Sequence, residues 1–259
     1  MKITFLGTGT SQGIPIIGCT CSVCSSNDKR DKRLRSSIHI EINQKSLIID
    51  TGPDFRYQVL RAGIKRLDAI LFTHEHKDHI GGFDDIRPFN YLLKNIPEVF
   101  CSKEVEAALR RDFHYAFAEE KYPGVPEFSI SIIDEMPFLF GDEEIIPIPV
   151  MHHKMPVLGF RLRDFAYITD CNFIPETSFQ KLRGLDTLVI NALRKSEHIS
   201  HFSLQQALEI IDRINPRRAY LTHISHQLDL HSSLLKELPT GVEPAHDGLC
   251  IDFGDIHKI

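Results

Sequence analysis

Short apolar segments alternate with amphipathic ones along the chain, and no low-complexity linker interrupts them. The short segments are bounded by turn-forming residues, which predicts β-strands. The predicted strands are Lys2–Leu6, Ser37–Ile42, Ser46–Asp50, Ala69–Thr73, Glu98–Cys101, Ser129–Ile133, Ile145–Met151, Leu158–Leu162, Phe165–Thr169, Thr187–Ile190 and Ala219–Thr222. The predicted helices are Phe55–Ala62, Asp84–Leu93, Lys103–Phe117, Ser203–Ile214 and His231–Leu238. Strands and helices that alternate in this way predict an α/β protein.

The chain shows no sign of a boundary between domains. Its length of 259 residues is compatible with one large α/β domain or with two small ones. The Pro- and Gly-containing stretch Lys121–Pro126 predicts a loop rather than a boundary. We find no internal repeat, and we therefore expect one domain over residues 1–259.

Composition and charge restrict the classes of partner. The chain is 42% hydrophobic and 25% charged, and its net charge of −5 provides no basic field for nucleic acid or an anionic membrane. No apolar stretch approaches the roughly 18 residues of a membrane span. The N-terminal residues Met1–Gly7 predict a strand that enters a glycine turn rather than a signal peptide. We expect a cytoplasmic protein whose six cysteines are reduced.

One short segment concentrates metal-binding side chains. His74, His76, Asp78 and His79 follow directly on the predicted strand Ala69–Thr73. Residues two apart on an extended segment share a face, and the next turn can bring Asp78 and His79 back toward the same point. Crowded imidazole and carboxylate donors are costly unless a cation neutralises them, and they suit zinc, manganese or iron better than calcium or magnesium. The segment predicts a transition-metal site for hydrolytic chemistry.

Three further strands end on residues of the same kind, namely His152, Asp170 and His223. Sites in layered α/β proteins assemble at strand ends, so these residues can converge with the first group. The candidate ligands are then His74, His76, Asp78, His79, His152, Asp170 and His223, a set that fits two ions bridged by Asp170. His153 competes with His152, since neighbours on a strand face opposite ways and only one is expected to ligate.

The run His-x-His-x-Asp-His and the later strand-end ligands resemble the metallo-β-lactamase-fold hydrolases over nearly the whole chain. The turn Gly7–Thr10 and the segment Asp50-Thr51-Gly52 are also similar to that superfamily. The resemblance implies a four-layer αββα sandwich with mixed sheets, and it favours His152 over His153. It assigns Asp50 to orienting a ligand. The implied ligands are His74, His76 and His152 for one metal, Asp78, His79 and His223 for the other, and Asp170 as the bridge.

A second cluster consists of three thiols, Cys19, Cys21 and Cys24, after a loop that contains Gly and Pro. In a reducing compartment this spacing predicts a structural zinc site. Such a site needs a fourth ligand, which the spacing alone does not identify. Three free thiols, or a redox pair with a third thiol, are the alternatives.

The cysteine element resembles that of the phosphodiesterases of the carbon–phosphorus lyase pathway, which cleave phosphoribosyl 1,2-cyclic phosphate. The resemblance implies His226 as the fourth zinc ligand, with contact to substrate as the alternative role. It matches His201 to a catalytic His of that family, whereas His198 has no such match. We expect Asp78 and His201 to be the catalytic residues, with His201 protonating the leaving group.

These features predict a phosphodiesterase that cleaves a small, cyclic phosphodiester by attack of a metal-bound hydroxide. The expected cofactors are two Zn or Mn ions, with Fe as a third candidate, and one structural Zn. We expect a small-molecule substrate and no membrane or nucleic acid as partner, and a homodimer stays open.

Three other functions remain as alternatives. A tRNA 3′-end endonuclease of the same fold needs a basic, Gly-rich arm that we do not find, although Lys29–Arg35 could form a local basic patch. A thioester or lactone hydrolase stays open because the same metals polarise carbonyls. A non-catalytic metal-binding protein is the alternative from a different class.

Overall fold

Two seven-stranded sheets organise residues 1–253, the part of the chain that the computed structural model describes. The strands are β1 Lys2–Gly7, β2 Ser37–Ile42, β3 Lys45–Ile49, β4 Ala69–Leu71, β5 Glu98–Cys101, β6 Ser129–Ile132, β7 Phe138–Phe140, β8 Glu143–His152, β9 Met155–Leu162, β10 Phe165–Ile168, β11 Thr187–Asn191, β12 Arg218–Thr222, β13 Val242–Pro244 and β14 Cys250–Asp252. The α-helices are α1 Phe55–Ala62, α2 Lys77–Ile80, α3 Arg87–Leu93, α4 Lys103–Asp112, α5 Glu176–Lys181, α6 Leu204–Ile214 and α7 His231–Glu237. Short 3-10 helices span Lys29–Asp31, Phe83–Ile86 and His114–Phe117.

The chain divides into two compact units, each built on one of the sheets. The first unit contains Met1–Gly7, Arg35–Asp134 and the described residues from Gly248 onward. The second unit contains Thr8–Leu34 and Glu135–Asp247.

The sheet of the first unit has the strand order β14-β1-β2-β3-β4-β5-β6. Its first four strands pair antiparallel and the remaining pairs are parallel, so the sheet is mixed. β4 is buried at every position, because a parallel strand covered on both faces needs a continuous apolar run. Ile70 of this strand packs in a core with Phe55 of α1 and Leu109 of α4.

The sheet of the second unit has the order β13-β12-β11-β10-β9-β8-β7 and is also mixed. Helix α6 buries Ala207 and Ile211 in the core of this unit. It begins after Ser203, the first residue of the predicted helix, where Ser203 and Gln206 form a capping box that satisfies two backbone N–H groups. It ends at Asn215, which adopts the left-handed conformation before Pro216.

The tip of the β8–β9 hairpin decides the position of two adjacent histidines. His152 still pairs with Met155, so the connection consists of His153 and Lys154 alone. His153 has a φ of 57°, the positive value that two-residue hairpin turns require. His152 therefore belongs to the strand, whereas His153 lies in the exposed turn.

The predicted fold class is confirmed, since the described residues form two mixed sheets flanked by helices. The predicted helix Asp84–Leu93 is instead a 3-10 helix followed by α3, because Pro88 lacks an N–H and favours the first turn of a new helix. Lys103–Phe117 likewise separates into α4 and a 3-10 helix.

The sequence did not predict β7, β13, β14, α2 and α5. Each has between 3 and 6 residues, too few to display a period. Within residues 1–253, no helix is both long and apolar enough to cross a membrane.

A buried histidine in the first sheet makes stability depend on pH. His39 on β2 is 5% exposed, and its Nε2 lies 2.8 Å from Oγ of Ser46. Because that hydroxyl donates to the backbone O of Arg66 at 2.5 Å, it accepts from the Nε2–H of His39. Burial lowers the pKa of His39 from 6.5 to about 4.

We expect acid to weaken the fold through His39. The unfolded chain binds a proton near pH 6.5 and the folded chain only near pH 4, so stability is lost as the pH falls between these values. The loss at pH 4.5 amounts to about 2–3 kcal/mol. Urea unfolding at pH 7 and pH 4.5 measures it, and His39→Gln should reduce the pH dependence, whereas the exposed His114→Gln should not. An equal pH dependence in both variants would count against this account.

Candidate metal sites

The first donor set occupies the loop and short helix that follow β4. The ring centroids of His74 and His79 are 4.1 Å apart, and those of His74 and His76 are 4.7 Å apart. Nε2 of His79 lies 3.2 Å from Oδ2 of Asp78, because α2 begins at Lys77 and turns both residues back toward the loop. His74 and His79 are buried, Asp78 is half-buried and His76 is exposed.

Asp50 orients this donor set through hydrogen bonds. Its carboxylate accepts hydrogen bonds from Nδ1 of His79 at 2.7 Å, from the Thr73 hydroxyl at 2.8 Å and from the Thr73 backbone N–H at 2.9 Å. Burial raises the pKa of Asp50, but three donors aimed at two oxygens fit the ionised form. Since the Thr73 hydroxyl donates to Asp50, it accepts from Nδ1 of His74 at 2.9 Å. In both rings the lone pair is therefore on Nε2, the tautomer that a metal ligand needs.

Gly52 allows the backbone of the loop to approach closely. A Cβ atom at this position would lie 2.1 Å from the backbone O of Asp78. The neighbouring Thr51 N–H donates to the backbone O of His79 at 2.7 Å. The segment Asp50-Thr51-Gly52 thus holds both the side chains and the backbone of the first donor set.

The second donor set lies at the ends of β8, β10 and β12 in the second unit. Nδ1 of His223 is 2.8 Å from Oδ1 of Asp170, and Nε2 of His201 is 3.3 Å from Oδ2 of Asp170. The His201 ring packs between His152, with centroids 4.6 Å apart, and His223, with centroids 4.8 Å apart. All four residues are buried, and one donor atom each of His152, Asp170 and His201 lies within 4.8 Å of the others.

Hydrogen bonds from distant segments orient the second set. Nδ1 of His152 donates to the backbone O of Ser200 at 2.8 Å, which places the ring's lone pair on Nε2. Nε2 of His223 contacts the Thr10 hydroxyl at 3.1 Å. From the adjacent position, the Thr169 hydroxyl also donates to Oδ1 of Asp170 at 2.7 Å. The sequence did not predict Thr10 or Ser200, because a hydroxyl or carbonyl that orients a ligand carries no motif of its own.

The backbone is strained where the donor sets are anchored. Asp50, Asp170 and His223 have φ values of 65°, 52° and 53°. Left-handed conformations are uncommon for residues other than glycine and cost about 1–3 kcal/mol where the surroundings impose them. Asp50 and His223 directly follow β3 and β12, and Asp170 lies two residues beyond β10, so all three strained residues lie at strand ends.

The three thiols lie close to His226, the fourth zinc ligand that the resemblance implies. Sγ atoms of Cys19 and Cys21 lie 3.3 and 3.4 Å from Nδ1 of His226. One donor atom from each of Cys19, Cys21, Cys24 and His226 lies within 4.8 Å of the others. The backbone N–H of Cys24 donates to Sγ of Cys21, and this lowers the pKa of Cys21 to about 6. Three thiols and one imidazole around one point fit a closed tetrahedral zinc site.

We expect Cys21→Ser to lose about one zinc ion per chain, since a hydroxyl is a far weaker zinc ligand than a thiolate. Elemental analysis of the purified protein measures the loss. The matched control is Cys250→Ser, which removes an exposed thiol of β14 in the other unit. Equal zinc contents in the two variants would disprove the site.

The basic segment Lys29–Arg35 is engaged within the protein. Arg30 pairs with Asp28 at 2.7 Å, and Lys32 donates to the backbone O of Cys24 at 2.9 Å. Arg33 is 2% exposed and bonds to Thr8. Three basic side chains of this segment are thus engaged in contacts within the protein, whereas Lys29 is exposed.

The chain matches known proteins over most of its length. Residues 45–224 match the β-lactamase superfamily domain. A solved structure described as a new diphosphatase from the PhnP family is 39% identical, with 96% of each chain covered and a TM-score of 0.91. The zinc-bound PqqB of Methylobacterium extorquens is 18% identical, with 97% of this chain and 100% of that chain covered and a TM-score of 0.78, which shows the fold alone.

A curated relative, the octanoyltransferase of Porphyromonas gingivalis, is 39% identical over 252 residues. The match covers 96% of this chain and 51% of the relative. The chain therefore spans about half the length of that protein.

Proposed function

The chain belongs to the metallo-β-lactamase superfamily and, within it, to the PhnP family, and from this premise we propose that it hydrolyses a phosphodiester or diphosphate bond in a small molecule. Membership supports a metal-dependent hydrolase. The observation that carries the phosphate chemistry is the 39% identity with a PhnP-family diphosphatase over 96% of both chains. The family match includes residues of both units.

We propose that the donor sets hold two divalent metal ions and that the thiol cluster holds a structural zinc. The supporting observations are the histidine and aspartate donors, their fixed tautomers and their strained anchors. When bound, the two ions activate water and neutralise charge on the phosphate oxygens. The proposed ligands are His74, His76 and His152 for one ion, Asp78, His79 and His223 for the other, and Asp170 as the bridge.

Two side chains would move or hold protons during the reaction. His201 is 8% exposed and presents Nε2 beside Asp170, where it can protonate the departing oxygen. Burial lowers the pKa of His201 to about 4, and Asp170 opposes that shift. Asp78 is half-buried next to His79, and its carboxylate would orient the attacking water by accepting a hydrogen bond from it.

The substrate class follows from two resemblances. The sequence motifs favour a cyclic ribose phosphate, whereas the solved diphosphatase favours a diphosphate. Both are small anions in which phosphorus carries two ester or anhydride oxygens, so the same residues serve either. Three thiols able to bind zinc require a reducing compartment, which supports a cytoplasmic location.

A second candidate is hydrolysis of an octanoyl thioester. It is favoured by the similarity to half of a protein named octanoyltransferase. Bound divalent metals polarise a carbonyl as well as a phosphoryl group. The metal ligands would be the same, so only the substrate separates the two candidates.

A substrate panel tests the proposal. Metal-stripped protein, reconstituted with Zn or Mn, is assayed with bis(4-nitrophenyl) phosphate, a ribose cyclic phosphate, a nucleoside diphosphate ester and an octanoyl thioester. We expect metal-dependent hydrolysis of at least one phosphate substrate. Turnover of the thioester alone would replace the proposal with the second candidate. Full metal content without any turnover would favour a non-catalytic metal-binding protein.

A further inference from the structure

We propose that His198 is a positioning residue for His201. It keeps a hydrogen on Nδ1 of His201, so that Nε2 of His201 can carry the proton delivered to the leaving group. The inference rests on the proposed function, in which His201 protonates that group. His198 lies in the loop between β11 and α6, three residues before His201.

The hydrogen bonds around His198 fix its role as an acceptor. The backbone N–H of Ser200 donates to Nδ1 of His198 at 3.3 Å, so this nitrogen carries a lone pair. Nδ1 of His201 lies 3.3 Å from the same atom. The Ser200 hydroxyl lies 3.3 Å from Nδ1 of His198 and 3.0 Å from Nδ1 of His201. This hydroxyl can therefore accept from Nδ1–H of His201 and donate to Nδ1 of His198.

The surroundings of His201 explain why it needs this acceptor. Its ring is enclosed by His152 and His223, and Nε2 lies beside Asp170. A buried N–H without an acceptor costs about 1–3 kcal/mol. A histidine that acts as an acid through Nε2 must keep its other hydrogen on Nδ1, where His198 and the Ser200 hydroxyl face it.

His198 acts on the reaction only through His201. It is half-exposed, and its hydrogen-bonding contacts within residues 1–253 are Ser200 and His201. This differs from His152, which donates to a backbone carbonyl, and from His223, which contacts Asp170. Its arrangement resembles that of a residue that orients a catalytic base or acid by accepting its second N–H.

The test compares His198→Ala with His198→Asn, whose Oδ1 can accept at the position of Nδ1. Two phosphodiester substrates are used, one with an alkoxide leaving group and one with a nitrophenolate leaving group, which departs without a proton. We expect His198→Ala to lower kcat for the alkoxide substrate about 10–100-fold with KM unchanged, as for other orienting residues. The effect on the nitrophenolate substrate should be less than about threefold, and His198→Asn should restore most of the loss. Glu197→Ala, an exposed neighbour in the same loop, is the matched control.

A second measurement does not depend on turnover. In ¹⁵N-labelled protein reconstituted with Zn we expect a slowly exchanging Nδ1–H signal from His201 that persists in His198→Asn and disappears in His198→Ala. Equal slowing of both substrates by His198→Ala, or an unchanged Nδ1–H signal, would overturn the inference while leaving the proposed function intact. If the wild-type protein hydrolyses no phosphate substrate, the proposed function fails, and the Nδ1–H signal alone decides whether His198 positions His201.

Discussion

Replacing Asp170 is expected to lower both metal content and hydrolysis more than any other single change. Its Oδ1 lies 2.8 Å from His223 and its Oδ2 lies 3.3 Å from His201, so both oxygens point at other members of the second donor set. Loss of a bridging carboxylate should remove at least about one metal ion per chain. Because a bound metal contributes several kcal/mol to the transition state, kcat should fall about 10³-fold or more.

Two variants separate this effect from misfolding. Asp170 has a φ of 52°, which alanine adopts with strain but asparagine tolerates. Asp170→Asn should therefore keep the fold while losing the carboxylate, and Asp170→Ala should additionally lower the melting temperature. The exposed Asp212→Ala on α6 is the matched control for removal of a carboxylate. Full metal occupancy in Asp170→Asn, measured by elemental analysis, would rule out the bridge.

Replacing His201 by alanine is expected to remove catalysis but leave the metals in place. General acid catalysis contributes about 10²–10⁴-fold, so kcat for a substrate with an alkoxide leaving group should fall by that factor. A nitrophenolate leaving group needs no proton, and its release should be affected far less. Elemental analysis of the same preparation should show unchanged metal.

The elemental analysis is needed because His201 lies where it could itself be a metal ligand. One of its ring nitrogens lies within 4.8 Å of donor atoms of His152 and Asp170. If His201→Ala loses metal along with activity, His201 is a ligand and the general acid must be sought elsewhere. Unchanged turnover of the alkoxide substrate would remove His201 from the mechanism altogether. The exposed His153→Ala serves as the control for removal of an imidazole near the same strand.

The sequence predicted the elements best where apolar runs were long enough to show their period. β2, β5 and α1 have the predicted bounds, and α6 ends at its predicted last residue, with the predicted first residue Ser203 as its N-cap. The predictions were wrong where a local interruption divided a segment, as at Pro88. Elements such as β7 and α2 were missed because 3 or 4 residues carry no periodicity.

Chain order also indicated the donor residues, since each strand-end ligand directly follows a buried apolar run. It left His152 and His153 as alternative metal ligands, because chain order alone does not tell which of two adjacent residues belongs to the strand. That register places His152 in the strand and His153 in the turn. The spacing of Cys19, Cys21 and Cys24 likewise could not name the fourth ligand, which only the approach of His226 identifies geometrically.

The sequence by itself thus determined which chemical groups are present and in what order the strands deliver them, because apolar periodicity and donor type are local properties. Tertiary structure decided which ring nitrogen of His74, His79 and His152 holds the lone pair. That choice depends on hydrogen bonds from residues far away in the chain, such as Ser200 for His152 and Asp50 for His79. It also revealed the contact between His198 and His201, in which the backbone N–H of Ser200 makes Nδ1 of His198 an acceptor, a feature that no sequence motif records.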